Sequence, residues 1–327
     1  MRLADLEALP AFALLGPGFG GGEALLLTDL RPSPRAPQLV FAPYETPGRE
    51  ATLLGGEVRR VGALELPPPA ALDPRLDAAG HAEAVAVIRE AIAAGDVYQV
   101  CLTLRARLAP VAGAALLARM AAQGLPRFAA WVRLPDGTEF VSASPELLFE
   151  IEGERIRSEP MKGTARPDEA GVLTASDKDW AELAMITDLV RHDLTPICRP
   201  RSVTVRAERR LVALPYAVQA VSDVEGALLP GVTPLDALEA LHPGGSVTGA
   251  PKRAALATIR RLESTPRGAF CGALAFCEGG RATTSLLIRT ASRDASGWVY
   301  GAGGGIVYDS DPARELEEVR VKLGVLT

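Results

Sequence analysis

Aromatic residues make up only 5% of the 327-residue chain, and 35 Lys and Arg residues are outnumbered by 40 Asp and Glu. The two signs of charge are interleaved, so the sequence lacks the basic stripe that nucleic-acid binding requires, and we expect no nucleic-acid partner. No apolar run reaches the roughly 18 residues of a membrane span, so no membrane association is expected. Charges within MRLADLEALP also argue against a secretory signal.

Cysteine and histidine are scarce, with four and three residues. No two cysteines have C-x-x-C spacing, which excludes the commonest structural metal motifs. Cys271 and Cys277 share parity in a strand-like segment, which is more typical of small buried apolar residues than of a metal pair. These features favour a reduced, cytoplasmic protein.

Proline and glycine are abundant in residues 1–80, and LPPPAALDP at 66–74 has the composition of a linker. We therefore interpret 1–80 as a segment that packs on a domain formed by 81–327. GPGFGG at 16–21 matches G-x-G-x-x-G, but prolines soon follow where a dinucleotide site needs a helix. This context favours a hairpin turn over a nucleotide site.

After residue 80, helical and strand patterns follow each other without regular alternation. Apolar periodicity predicts helices within 81–95, 176–194, 233–245, 244–263 and 311–326. Period-two patterns and turn residues predict strands at 97–108, 127–134, 139–143, 269–277, 282–293 and 298–308, with a hairpin at 147–159. This mixture predicts an α+β fold with largely antiparallel sheets.

The helix predicted at 176–194 has a start signal and a clear apolar stripe. Ser176 is a candidate N-cap, and Asp179 stands in the acidic position of a capping box. The stripe comprises Trp180, Leu183, Ile186 and Val190. The strand at 97–108 has an apolar face that begins with Tyr98, and its opposite face is polar but neutral. That polar face either lines a cleft or is simply solvated, and the pattern leaves both interpretations open.

Three basic or glycine-rich features are typical of anion binding. Arg289 interrupts an apolar strand, where a guanidinium either binds a ligand carboxylate or forms a structural ion pair. Gly303–Gly305 either expose backbone N–H groups to an anion or form a strained turn. The glycine-rich loop before Lys252 opens into a helix whose free N–H groups and dipole favour an anion.

Lys162, in SEPMKGTARP, lies between strand-like sequence and a glycine turn, although most lysines are simply solvated. Two predicted helices carry acidic residues, Glu182 on one and Glu315 and Glu318 on the other. These carboxylates either bind Mg²⁺ or belong to ordinary solvent-exposed helix faces. Together these residues predict an enzyme that acts on a small, anionic, carboxylated substrate.

Eight segments carry a family resemblance: GDVYQVCLT, SASPELLFE, EPMKGTARP, ELAMITDLVRHDL, GGSVTGAPK, CGALAF, LLIRT and GGGIVYDSDPARELEEVRVK. Over about 240 residues the chain resembles the chorismate-utilising enzymes, which include the anthranilate, aminodeoxychorismate, isochorismate and salicylate synthases. The resemblance implies an α/β/β/α chorismate-binding fold of two packed, largely antiparallel sheets between outer helices. It also implies that residues 1–80 are a reduced version of the family's N-terminal region.

Within this family, Lys162 matches the lysine of the P-I-K-G-T motif of aminodeoxychorismate synthases, where anthranilate synthases usually carry alanine. YQVCLT is closest to their Y-Q-V-N-L-T. Gln99 stands where isochorismate and salicylate synthases carry a water-activating lysine, and an amide cannot act as a base. The resemblance therefore implies synthesis of 4-amino-4-deoxychorismate, the precursor of para-aminobenzoate and folate.

The resemblance also implies a mechanism. Lys162 attacks C2 of chorismate as the 4-hydroxyl leaves, Glu146 protonates that hydroxyl, and ammonia adds at C4 and expels the lysine. The implied Mg²⁺ ligands are Glu182 and Glu318. The implied substrate-binding residues are Arg289, Gly303, Gly304, Gly305, Lys322, Ser246, Thr248 and Gln99.

Two features depart from the family pattern or complicate the assignment. Gln219 replaces a family histidine that assists pyruvate loss in anthranilate synthase, which argues against a lyase. The three histidines pair with no nucleophilic-elbow cysteine, so ammonia is expected from a separate glutamine amidotransferase subunit or from solution. The alternatives are anthranilate synthase component I, isochorismate synthase or a non-catalytic chorismate-binding member of the family.

Overall fold

A computed structural model describes residues 1–35, 38–165, 171, 173, 176–214 and 217–327, apart from the side chains of 164 and 177–179. Asp179, predicted to belong to a capping box, lies outside the described side chains. None of the described helices combines the length and apolar character needed to cross a membrane.

The described residues form six α-helices and eighteen strands. The helices are α1 His81–Ala93, α2 Gly113–Met120, α3 Asp177–Leu194, α4 Pro234–Leu241, α5 Lys252–Leu262 and α6 Pro312–Lys322. The first nine strands are β1 Phe12–Gly20, β2 Glu23–Pro32, β3 Leu39–Ala42, β4 Thr52–Val61, β5 Arg75–Asp77, β6 Gln99–Arg107, β7 Phe128–Arg133, β8 Glu139–Ser144 and β9 Leu147–Glu152. The others are β10 Arg155–Glu159, β11 Met161–Ala165, β12 Thr204–Leu214, β13 Ala217–Ala227, β14 Gly249–Ala250, β15 Ala273–Glu278, β16 Arg281–Leu286, β17 Thr290–Asp294 and β18 Gly297–Ile306.

The strands pair antiparallel and form two layers. The first layer runs β6–β18–β17–β8–β7–β1, and the second runs β3–β15–β16–β9–β10–β13. The layers are continuous, because β1 pairs with β2, β2 with β4, and β4 with β3. Residues 1–80 thus contribute strands to both layers.

Side-chain alternation explains why the layers stack. In the first layer Trp131 and Val141 pack on one face, while Phe128 and Phe140 pack on the other with residues of the second layer. Phe140 stacks on Phe41 of β3, with ring centroids 5.0 Å apart. Since successive strand residues point to opposite faces, each strand serves two cores.

Helices cover both outer faces. Helices α1, α2, α5 and α6 pack on strands of the first layer, whereas α3 packs on β13 of the second layer and α4 packs on α3. Helix α4 begins at Thr233 with a reciprocal capping box to Asp236, as its sequence predicts. The structure therefore confirms the α+β class and the α/β/β/α arrangement.

Several local predictions are also confirmed or corrected. GPGFGG leads into a hairpin turn at Gly21–Gly22, both of which have positive φ. Tyr98 was expected in the core but is 72% exposed, because β6 begins after it at Gln99. Trp180 of the predicted apolar stripe is partly exposed and is covered by Arg209, whose guanidinium lies 3.9 Å from the ring centroid.

The single strand predicted at 282–293 is wrong, because the chain breaks it into β16 and β17. Strand β16 pairs with β15 and β9 in the second layer, whereas β17 pairs with β8 and β18 in the first. The connection Leu287–Arg289 crosses between the layers, and Arg289 takes a φ of +50° there. This crossing explains how an arginine can interrupt an apolar segment without being buried in either sheet.

Candidate active site

A cavity of about 740 Å³ is lined by residues of α3, α6, β6, β11, β13 and β18, the Leu287–Arg289 crossing and the loop at 245–247. Ten of the twelve predicted site residues line it: Glu146, Lys162, Glu182, Ser246, Arg289, Gly303, Gly304, Gly305, Glu318 and Lys322. Residues separated by as many as 176 positions in the sequence, from Glu146 to Lys322, therefore share one chamber.

Lys162 is held at the cavity wall and is not a surface residue. It lies on β11 opposite Ala220 of β13, and the register shifts at Gly163, where φ is +72°. Its side chain is 17% exposed, and its Nζ lies 3.6 Å from Oε2 of Glu182 on α3. The glycine next to it permits this local bend and aims the amine into the cavity.

Glu146 follows β8 and is 6% exposed. Ser246 Oγ donates a 2.9 Å hydrogen bond to its Oε1. Burial raises the pKa of Glu146 from its ordinary value of 4.5 to about 7, and the Ser246 hydrogen bond and the charge of Lys162 only partly oppose this. A carboxyl group with this pKa can carry a proton near neutrality, as a general acid requires.

This burial has a measurable effect on stability. Between about pH 4.5 and about pH 7 the unfolded chain has lost the Glu146 proton and the folded chain keeps it, so stability falls as pH rises. We expect the free energy of unfolding of the wild type, minus that of Glu146→Gln, to fall by about 3 kcal/mol across this interval. Chemical denaturation of both proteins along a pH series measures the difference, and a constant difference would contradict the raised pKa.

Two glutamates place carboxylate groups at the cavity. Besides Glu182, Glu318 of α6 lines it, and Glu318 Oε1 accepts a 2.7 Å hydrogen bond from Lys322 Nζ. Lys322 also donates to the Gly303 carbonyl at 2.7 Å. Glu315, the third acidic candidate, is buried and accepts a 2.6 Å hydrogen bond from Ser310, so it supports α6 and does not line the cavity.

The donor set fits Mg²⁺. Among the described residues no three His, Cys, Asp or Glu side chains converge as a complete metal cage. Two carboxylates on one cavity are nevertheless typical of Mg²⁺ sites, where substrate oxygens and water complete the coordination. Glu182 and Glu318 are therefore the residues that could hold this ion.

The glycine triplet Gly303–Gly305 lies within β18 and pairs with β6, so the strained-turn interpretation is wrong. Gly303 and Gly305 leave no room for a Cβ, whereas Gly304 does. A Cβ on Gly303 would lie 2.4 Å from the Leu102 carbonyl oxygen, and one on Gly305 would lie 2.2 Å from Gln99 Nε2. A Cβ on Gly304 would lie 3.4 Å from Glu315 Oε2 and 3.6 Å from Glu318 Oε1.

These contacts predict different outcomes for two neighbouring substitutions. Gly303→Ala should lower the free energy of unfolding by about 1–3 kcal/mol, because its methyl group collides with backbone. Gly304→Ala should keep wild-type stability, because its methyl group meets the Glu315 and Glu318 carboxylates only at ordinary van der Waals distances. Thermal melting of both variants tests this, and equal stability losses would refute the assignment.

Two predicted substrate-binding residues do not line the cavity. Thr248 is fully buried and donates its hydroxyl to the carbonyl oxygens of Gly244 and Gly245, so it fixes the loop instead. Gln99 is buried beneath Gly305. The anion site predicted where α5 begins is also not part of the cavity, since Lys252 there pairs with Asp193 at 2.5 Å.

Other lining residues were missed or left undecided by sequence reasoning. Cys101 and Thr103 of β6 line the cavity, which settles the polar face of this strand as a cleft face. Met161 and Ile288, which sequence reasoning missed, also line it, as does Gln219, which the sequence analysis noted as the replacement of a family histidine. Apolar residues in strand-like segments normally indicate the core. The only sequence signal that Met161 and Ile288 line a site is that each stands next to a predicted site residue, Lys162 or Arg289.

Comparison with known proteins agrees with this geometry. The sequence profile of the family described as chorismate binding enzyme matches residues 51–327. The chain belongs to this family. Anthranilate synthase component 1 1 of Haloarcula marismortui is 38% identical over 248 residues, covering 72% of this chain and 50% of the relative. An aminodeoxychorismate synthase of Streptomyces griseus is 37% identical over 267 residues, covering 77% of this chain and 36% of the relative.

The fold is also shared with solved structures. The menaquinone-specific isochorismate synthase of Escherichia coli superposes with a TM-score of 0.78 over 98% of this chain and 89% of the other, at 18% identity. Such a likeness shows the common fold of the chorismate-binding enzymes. The chain spans half or less of the length of the two curated relatives above.

Proposed function

We propose that the chain is component I of an aminodeoxychorismate synthase, which converts chorismate and ammonia into 4-amino-4-deoxychorismate and water. One observation carries the proposal: the amine of Lys162 lines the same cavity as Glu146, a buried carboxyl group whose pKa is raised to about 7. A nucleophile and an acid in one chamber are what a displacement of a hydroxyl group requires.

The proposed reaction has two balanced halves. Lys162 Nζ forms a bond to C2 of chorismate, both ring double bonds shift by one position, and the C4–O bond breaks. Glu146 donates its proton to the departing hydroxyl, which leaves as water. Ammonia then bonds to C4, the two double bonds return, and the C2–N bond breaks to release the lysine amine, while Glu146 regains a proton from the added nitrogen.

Substrate orientation falls to the groups around this pair. Arg289 and the backbone N–H groups of the glycine triplet suit the carboxylates of chorismate, and Lys322 adds a cation at the same wall. Glu182 and Glu318 would hold Mg²⁺, which when bound neutralises and orients the ring carboxylate. Ser246 would keep Glu146 in place through its hydrogen bond.

Ammonia is proposed to come from a separate glutamine amidotransferase subunit. The chain alone should then use ammonium salts but not glutamine. Anthranilate synthase component I is the second candidate function, because a relative with that name is 38% identical, level with the aminodeoxychorismate synthase at 37%.

The decisive experiment is incubation of the purified chain with chorismate, Mg²⁺ and ammonium, followed by mass spectrometry of the products. We expect 4-amino-4-deoxychorismate. Anthranilate with released pyruvate would establish the second candidate, and isochorismate would show that water is the nucleophile. Chorismate binding without turnover would indicate a non-catalytic member. A parallel reaction with glutamine in place of ammonium should yield no product, and product there would contradict the proposed partner.

A further inference from the structure

A buried ion pair lies directly behind the loop that carries Ser246. Arg267 is 3% exposed, and its Nε and Nη2 donate to Glu263 Oε2 and Oε1 at 2.8 and 2.7 Å. The Arg267 guanidinium also stacks on Tyr44, 4.3 Å from the ring centroid. We call Arg267 and Glu263 the clamp. Burying two charges costs free energy even when they pair, so the groups that the clamp contacts indicate why it is there.

The clamp ties the Ser246 loop to the cavity wall. Arg267 Nη1 donates to the Val247 carbonyl at 2.6 Å, and Nη2 donates to the Cys101 carbonyl at 2.8 Å. Glu263 Oε1 accepts from both the backbone N–H and the hydroxyl of Thr103, each at 2.9 Å. One guanidinium therefore reaches the loop and β6 at once.

Ser246 immediately precedes the clamped carbonyl group of Val247. The loop is also closed by Thr248, whose backbone carbonyl accepts from the Cys101 N–H at 2.8 Å. With Val247 and Thr248 both tied to β6, the position of Ser246 is restricted. Its hydroxyl then has a defined place from which to donate to Glu146 at 2.9 Å.

We propose that Arg267 is a positioning residue, which acts through the Val247 carbonyl to hold the Ser246 hydroxyl against the carboxyl group of Glu146. The clamp itself contacts neither Glu146 nor Lys162 in the described structure. Its importance for catalysis rests on the proposed function, which makes Glu146 the acid. Its effect on the proton of Glu146 does not depend on which product the enzyme makes.

The ionisation of Glu146 reports this effect directly. The groups that act on its carboxyl are Ser246 from the loop and Lys162 from β11, and both favour the ionised form against burial. Losing the Ser246 donor should therefore raise the pKa of Glu146, and a displaced loop should do the same. A clamp that only stabilised the fold would leave this pKa unchanged.

The test is carbon-13 NMR titration of the full chain with labelled glutamate side chains, in which Glu146→Gln identifies the Glu146 signal. We expect Ser246→Ala to raise the titration midpoint by about half a pH unit or more, the size expected for one lost hydrogen bond. Arg267→Lys should move the midpoint in the same direction. The double variant should titrate like Ser246→Ala alone, because the two residues act through one contact.

Arg133→Lys is the matched control. Arg133 forms a partly buried pair with the buried Glu139 at 2.9 Å, and the pair lies away from the cavity. Arg133→Lys should lower the melting temperature without changing the titration midpoint of Glu146. If Arg267→Lys does not fold, Arg267→Met combined with Glu263→Leu removes both charges together and should raise the midpoint likewise.

Three outcomes would overturn the proposal: an unchanged midpoint in the folded Arg267 variants, a lowered midpoint, or shifts from Arg267→Lys and Ser246→Ala that simply add. Product analysis is independent of this titration. An enzyme that makes anthranilate would refute the proposed function but not the positioning role of Arg267. An unchanged midpoint in the Arg267 variants would refute the positioning role but not the proposed function.

Discussion

Replacing Lys162 with alanine is expected to reduce amination of chorismate on the order of 10³-fold or more, because the side chain that forms the covalent intermediate is lost. Chorismate binding should be largely kept, since Arg289, Lys322 and the glycine triplet remain in the cavity. Steady-state rates with ammonium and calorimetric titration with chorismate measure the two effects separately. Lys162→Arg should be equally inactive, because the guanidinium group keeps the positive charge but stays protonated and cannot act as a nucleophile.

Lys252→Ala provides the matched control for this prediction. Lys252 is 19% exposed against 17% for Lys162, and it also pairs with a carboxylate, but it does not line the cavity. Lys252→Ala should lower the stability of the protein at most and leave the rate of amination unchanged. Intact-mass analysis without ammonium should show wild-type chain carrying chorismate less one water, and Lys162→Ala should carry no adduct. Normal turnover by Lys162→Ala or Lys162→Arg would remove the covalent role.

Replacing Glu146 with glutamine is expected to slow the reaction about 10²- to 10⁴-fold, the usual contribution of a positioned general acid. The ratio of the wild-type rate to the rate of Glu146→Gln isolates this group, because both proteins use the same ammonia and the same lysine amine. This ratio should be constant below about pH 7, where Glu146 keeps its proton because burial raises its pKa to about 7. Above that pH the ratio should fall about tenfold per pH unit as the carboxyl ionises.

Glu150→Gln is the control for the pH profile. Glu150 lies on β9, close in sequence to Glu146, and its carboxylate accepts hydrogen bonds from Arg157 and Arg281 outside the cavity. Glu150→Gln should keep the wild-type rate at every pH, so its rate relative to Glu146→Gln should show the same decline above about pH 7. A ratio of wild-type to Glu146→Gln rates that stays constant through this pH range would mean that another group supplies the proton.

Local sequence patterns predicted five of the six described helices and strands β6–β10, β15 and β18, because those patterns depend on neighbouring residues, but they missed α2, β3, β4, β12 and β13. The alternation in β6, the caps of α4 and the hairpin at Gly21–Gly22 all follow from side-chain spacing and glycine conformation. The eight matching segments likewise identified the family, which the profile match over residues 51–327 confirms. Ten of the twelve predicted site residues share one cavity, although the assignment of their roles remains a proposal.

The sequence by itself therefore determined most helices, part of the strands, the α+β class and the family. Only the tertiary structure decided which side chains meet. It turned Thr248 and Gln99 away from the cavity, broke one predicted strand at Leu287–Arg289, and buried Glu146 so that its pKa rises. Periodicity reports which face of an element is apolar, but pairing between distant strands sets what lies opposite that face. Burial, and with it the chemistry of a carboxyl group, depends on that long-range pairing.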